Sequence, residues 1–129
     1  MQSLRSERGA SAVEFALIVP LLVLLVFGIV EFGRGFQVNG TLSAAAREGV
    51  RMMALQNDPA AARATVRSVA SSLDPALTDA QIVITPARCP TTTGSTLVRL
   101  RIDYEMPFVT GLFGASVDMT GTGVMRCGG

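Results

Sequence analysis

The hydrophobic pattern is dominated by one block near the N-terminus. Phe15 to Val30 reads FALIVPLLVLLVFGIV, a run without a charged residue. With ASAVE in front of it, residues 10–30 contain 17 hydrophobic residues out of 21. At 1.5 Å per residue such a helix measures about 31 Å, the thickness of a bilayer's hydrocarbon core. The pattern therefore predicts a transmembrane helix over 10–30. Pro20 lies inside it and cannot donate to the carbonyl of Ala16, a loss that membrane helices tolerate. Beyond the apolar block, Phe32, Phe36, Leu42, Ala46, Val50 and Met53 recur at mostly helical spacings, predicting a helix extension over 31–56. Arg34, Arg47, Glu48 and Arg51 fall on other faces, and Glu48 and Arg51, three apart, are placed to pair. Gly33, Gly35, Gly40 and Gly49 each cost such a helix about 1 kcal/mol.

The rest of the chain, 57–129, reads as a small α+β domain. Asp58 suits a helix N-cap and Pro59 its first turn. Ala62, Val66, Val69 and Leu73 then form one apolar stripe, and Asp74-Pro75 ends it. Gln81–Thr85 is a short strand. Val98, Leu100, Ile102, Tyr104 and Met106 alternate with Arg99, Arg101, Asp103 and Glu105, the period of a half-buried strand. Val117, Met119 and Met125 share one parity of a last strand that should pair antiparallel with it. Gly121 and Gly123 on the same parity mark a bulge or a close approach. The connection Pro107–Gly114 is apolar for a loop and is either a contact patch or tucked under the second helix.

Composition narrows the chemistry. Eleven basic residues, all Arg, face ten acidic ones, a balance unlike that of a nucleic-acid-binding protein. There is no His, which removes His-based triads and most zinc sites, and no Lys for a Ser-Lys arrangement. No glycine-rich loop stands in the strand-turn-helix context that cradles phosphate. The expectation is a non-enzymatic protein with no catalytic residues, no cofactor, no metal and no small-molecule substrate.

Glu14 is the residue that a plain anchor leaves unexplained, because a carboxylate in or beside a spanning helix costs a few kcal/mol unless paired or at the interface. A secretory signal peptide fits poorly, since Glu31-Phe32 interrupts the place where small cleavage-site residues belong. The segment MQSLRSERG-ASAVEF resembles a type IV prepilin processing site, a Gly followed by four residues and a Glu. A cut between Gly9 and Ala10 would remove residues 1–9 and make Glu14 the fifth residue of the mature chain. It would also create a free amine at Ala10, which a neighbouring subunit's Glu14 could neutralise as helices pack, offsetting the desolvation of both charges. An interfacial Glu14 that reaches water is the bland alternative.

The resemblance extends further. Arg8 to Leu17 (RGASAVEFAL) with Pro20-Leu21-Leu22, then Phe27 to Arg34 (FGIVEFGR), then Ala45 to Arg51 (AAREGVR), are similar in order to the opening of the TadE-like proteins. These are pilin-like subunits of the tight-adherence (Flp-type) pilus machinery. The ending Gly123–Cys127 fits only loosely. The resemblance implies a pilin-like α+β fold and a minor pilin or pseudopilin that takes part in assembling a tight-adherence type IV pilus. Its implied partners are the membrane, a prepilin peptidase, other pilin-like subunits met through the N-terminal helix, and the pilus assembly platform, with no nucleic acid. The block around Ala46-Arg47-Glu48-Gly49 is either a docking surface or an ordinary packing face.

Orientation follows from the cysteines better than from the arginines, which flank the helix on both sides. Cys89 and Cys127, the only two, both follow the membrane segment. An even pair in an exported domain points to a disulfide, with two buried free thiols as the alternative. The expected organisation is a leader over 1–9, a transmembrane helix over 10–30, a helix extension over 31–56 and an extracytoplasmic domain over 57–129. The N-terminus is then cytoplasmic, in a single-pass protein of the plasma (inner) membrane. Two other classes fit the same residues: an uncleaved membrane adaptor scaffolding secretion or adhesion machinery, and a binding domain released by signal peptidase.

Overall fold

The structure, a computed structural model, describes residues 3–91, 95–109, 111 and 114–129, with side chains from residue 7 onward. In order along the chain come helix α1 (Ser3–Gln56), helix α2 (Pro59–Val69), a single 3-10 turn (Asp79–Gln81), and strands β1 (Ile82–Thr85), β2 (Leu97–Pro107) and β3 (Ser116–Arg126). The chain divides into two compact units, Met1–Arg34 and Gly35–Gly129.

The first unit is helix alone, and α1 continues through Pro20. From Val13 to Phe32 its large apolar side chains are exposed, except the half-buried Val19; Leu17, Leu21 and Leu24 each keep 68% of their surface. In water such a surface would be strongly unfavourable, at roughly 25 cal/mol per Å² of apolar area. The helix is long and apolar enough to cross a membrane, and its most apolar 18-residue window has a mean hydropathy of 2.8.

The second unit is built on a three-stranded antiparallel sheet of order β1-β2-β3. β2 is central: Ile82 to Thr85 pair with Ile102 to Arg99, and β3 runs unbroken along β2 from Leu97↔Arg126 to Pro107↔Ser116. The strict alternation read in the sequence is realised, with Val98, Leu100, Ile102, Tyr104 and Met106 buried and the residues between them exposed. The C-terminal part of α1 and one face of α2 supply the core against this inner face. α1 contributes Val38, Leu42, Ala45, Ala46, Val50, Met53 and Ala54, and α2 contributes Ala62 and Val66.

The glycines of β3 explain how α1 lies so near the sheet. A Cβ on Gly121 would stand 2.6 Å from the carbonyl oxygen of Leu42, and one on Gly123 would stand 2.5 Å from that of Ala46. Of the two meanings open to these glycines the close approach holds. The register passes through both without a bulge.

Three details of the sequence reading change. Phe32 and Phe36 are exposed at 74% and 76%, so the buried face of α1 begins at Val38 and includes Ala45 and Gly49. In α2 the stripe continues from Val66 to Ala70, four residues on, while Val69 stays exposed and Leu73 reaches the core from the turn beyond. Glu48 and Arg51 form no ion pair among the described residues. An exposed pair gains at most about 1 kcal/mol against the entropy of two long side chains.

Candidate functional site

Gly9, Ala10 and Glu14 all lie on α1 and are exposed. Ala10 and Glu14 are four residues apart, one turn, and so share a helix face. Among the described residues Glu14 forms no ion pair, which leaves its carboxylate open to a group outside this chain. Glu31, at the end of the apolar block, is half-buried and lies 4.0 Å from the guanidinium of Arg34 one turn on.

The block Ala45–Arg51 does two things at once. Ala45, Ala46, Gly49 and Val50 are buried against the sheet and α2. A Cβ on Gly49 would overlap Val66 and stand 2.9 Å from Leu100 Cδ1, so Gly here lets α1 meet α2 and β2 together. Arg47, Glu48 and Arg51 point to solvent. Small residues set the packing, and the charged ones cover the outside.

Cys89 and Cys127 are joined in a disulfide with their Cα atoms 5.7 Å apart. Sequence reasoning passed over the residue that holds Cys89 in place. Asn57 ends α1 in the left-handed conformation (φ 51°), which Asn tolerates better than most residues. Its side-chain amide then bonds the Cys89 backbone twice: Nδ2 donates to the carbonyl at 3.1 Å, and Oδ1 accepts from the N–H at 2.7 Å. On the other cysteine's side, the N–H of Cys127 donates to Thr96 and that of Gly128 to Ala54 in the last turns of α1, both at 2.9 Å. The disulfide end of the domain is thereby tied to the end of α1. An Asn immediately before an Asp-Pro helix start was the available signal.

Asp58 caps α2 as its sequence position implied, with Oδ1 accepting from Ala60 and Ala61 at 2.9 and 3.2 Å. Arg67 pairs with Asp79 at 2.6 Å on the surface, and the buried Tyr104 donates to the Pro75 carbonyl at 2.9 Å. In the connection after β2, Phe108 is half-buried and Val109 exposed, while Leu112 and Phe113 of the apolar loop lie outside the described residues.

Among the described residues no three His, Cys, Asp or Glu side chains are grouped to hold a metal ion. Asp103 is taken up by an exposed ion pair of 2.8 Å with Arg101. What the chain offers instead is surface: an apolar helix face with a free carboxylate near its start, and a separately folded unit stapled by a disulfide.

No curated protein and no solved structure matches the chain. The family comparison does find a match, and it covers the segment just described, from Gly9 through the apolar helix to Arg51. Over residues 9–51, a third of its length, the chain matches the model of the TadE-like protein family.

Proposed function

We propose that this protein is a minor pilin or pseudopilin that takes part in assembling a tight-adherence type IV pilus. The observation that carries the reading is the family match over residues 9–51, which begins at Gly9 and runs through a helix long enough to cross a membrane. In this reading a prepilin peptidase removes residues 1–9 between Gly9 and Ala10, and the helix over 10–30 anchors the mature chain in the plasma (inner) membrane. The N-terminus is cytoplasmic and residues 57–129 are extracytoplasmic, where an oxidising compartment keeps Cys89 and Cys127 joined.

Glu14 is then the assembly carboxylate. Inside a bundle of apolar helices an unpaired carboxylate is costly, and so is a free amine. Bringing the Ala10 amine of one subunit to Glu14 of another offsets both penalties only when the helices are packed together, so the pair favours the assembled state over the isolated anchor. Glu14→Ala is expected to insert into the membrane at wild-type levels and to be absent from sheared pili. Wild-type recovery of the variant in the pilus fraction refutes the pairing.

A further inference from the structure

The outer face of the sheet sorts its charges by position. Arg99 and Arg101 on β2 and Arg126 on β3 occupy one end, and Asp103 and Glu105 on β2 with Asp118 on β3 occupy the other; all six are exposed. Arg99 and Glu105 are six residues apart along β2, about 20 Å at the usual strand rise. Only Arg101 and Asp103, at the boundary, pair with each other. Among the described residues Arg99, Arg126, Glu105 and Asp118 form no ion pair, and Glu105 is taken up by a hydrogen bond from Ser116.

This layout is unfavourable for the isolated chain. Glu105 and Asp118 are direct cross-strand partners, and like charges in that relation are destabilising. Alternating the same six charges along the strands would remove the conflict. The carboxylate end is also concave, a depression of about 380 Å³ whose lining includes Asp103, Glu105, Asp118 and Thr120, with Arg101, the partner of Asp103, at its border with the arginine end. Beside the arginines stand the exposed aliphatic side chains of Leu97 and Val124.

We infer that this face binds a second copy of the same chain, the arginine end of one copy seated in the carboxylate depression of the next. The occupant follows from the charge balance. With three cations and three anions the face is neutral in sum, so it complements neither an acidic nor a basic partner as a whole, but it does complement itself when two copies are offset along the strands. Two faces laid together with their strands running the same way and in register would put like charges together; a stagger of about 20 Å along the strands puts arginines on carboxylates. The staggered pair then keeps one free end of each sign, so the contact is heterologous and continues from copy to copy instead of closing as a dimer.

The test uses the full-length chain in detergent micelles at low salt, with oligomer size read by light scattering. Two double variants reverse one end each, Arg99→Glu with Arg126→Glu and Glu105→Arg with Asp118→Arg. Circular dichroism and an intact disulfide verify their fold. Wild type is expected to form species larger than dimers that dissociate at high salt. Each double variant alone should associate at least about tenfold more weakly, and an equal mixture of the two should recover wild-type size. Unchanged association of either folded variant, or a mixture that stays monomeric, overturns the contact. Growth that stops at dimers overturns the staggered arrangement in favour of an antiparallel pair. The membrane reading fails by a different result, release of the wild-type chain from membranes by alkaline carbonate.

Discussion

Replacing Gly123 with Ala adds one methyl group where the structure has no room for it. The new Cβ would stand 2.5 Å from the Ala46 carbonyl oxygen, 2.8 Å from its carbon and 2.9 Å from Val50 Cγ1. A relaxed carbon–oxygen contact is about 3.3 Å or more, so α1 and β3 must separate locally by roughly 0.8 Å. The obstacle is helix backbone, and a rotamer change cannot move it. A gap of that size forfeits about a quarter to a half of each dispersion contact along the seam, and the seam includes Leu42, Ala46 and Val50, each at most 2% exposed. Overpacking of this kind costs typically 1–3 kcal/mol, while Ala is favoured over Gly in a strand by roughly 0.5–1 kcal/mol. The net expectation is a loss of about 1 kcal/mol, or roughly 4–8 °C in the melting temperature of a unit this size. The assay is thermal unfolding of the full-length chain in detergent, followed by circular dichroism in the β-sheet region. Thr122→Ala is the control, since Thr122 lies between the two glycines but faces outward, and should change stability by less than about 0.5 kcal/mol. A Gly123→Ala protein as stable as that control would refute the close approach of α1 to β3.

Other perturbations separate the remaining contributions. Cys127→Ser, or reduction of the wild type, releases a loop closed over a sequence separation of 38 and should lower stability by roughly 4 kcal/mol in the chain-entropy account; an effect below about 1 kcal/mol in urea titrations would contradict it. Asn57→Gly keeps the left-handed backbone but loses both bonds to Cys89, at a cost of roughly 1–3 kcal/mol, and Asn57→Ala should cost about 1–2 kcal/mol more for the positive φ. Equal stability of those two variants would show that the backbone conformation contributes nothing. Asp58→Ala removes the cap of α2 and should cost about 1 kcal/mol, seen as a lower melting temperature in the same assay.

Much of this fold was legible because two periodicities are clean. Sixteen uncharged residues can hardly be anything but a buried or membrane helix, and the alternation through Arg99, Arg101, Asp103 and Glu105 fixes both the strand and its solvent face. Asp58-Pro59 marked the start of α2 by cap chemistry alone. What remained illegible depends on contacts distant in sequence. Phe32 and Phe36 carry the period of a buried stripe, yet the buried stripe begins at Val38; burial depends on where β3 and its glycines come to lie, which periodicity does not encode. Val69 and Ala70 both suit an apolar stripe, and only the position at which α2 ends decides between them. Asn57 reads as a loop residue until Cys89, 32 positions away, supplies the backbone groups its amide meets. Glycines were legible as exceptions but not as to their partners: Gly121 and Gly123 could have marked a bulge as well as a seam.

The proposed processing site stands apart, since in that reading Gly9, Ala10 and Glu14 take their meaning from an enzyme and a neighbouring subunit outside this chain. The most direct measurement is therefore the N-terminus of the protein extracted from membranes of cells that contain a prepilin peptidase, read by intact-mass spectrometry with N-terminal sequencing. The pilin account predicts a chain that begins at Ala10, lacking residues 1–9, with its disulfide intact. A chain still beginning at Met1 would contradict it and favour an uncleaved membrane adaptor, and one beginning beyond residue 28 would contradict it in favour of a domain released by signal peptidase.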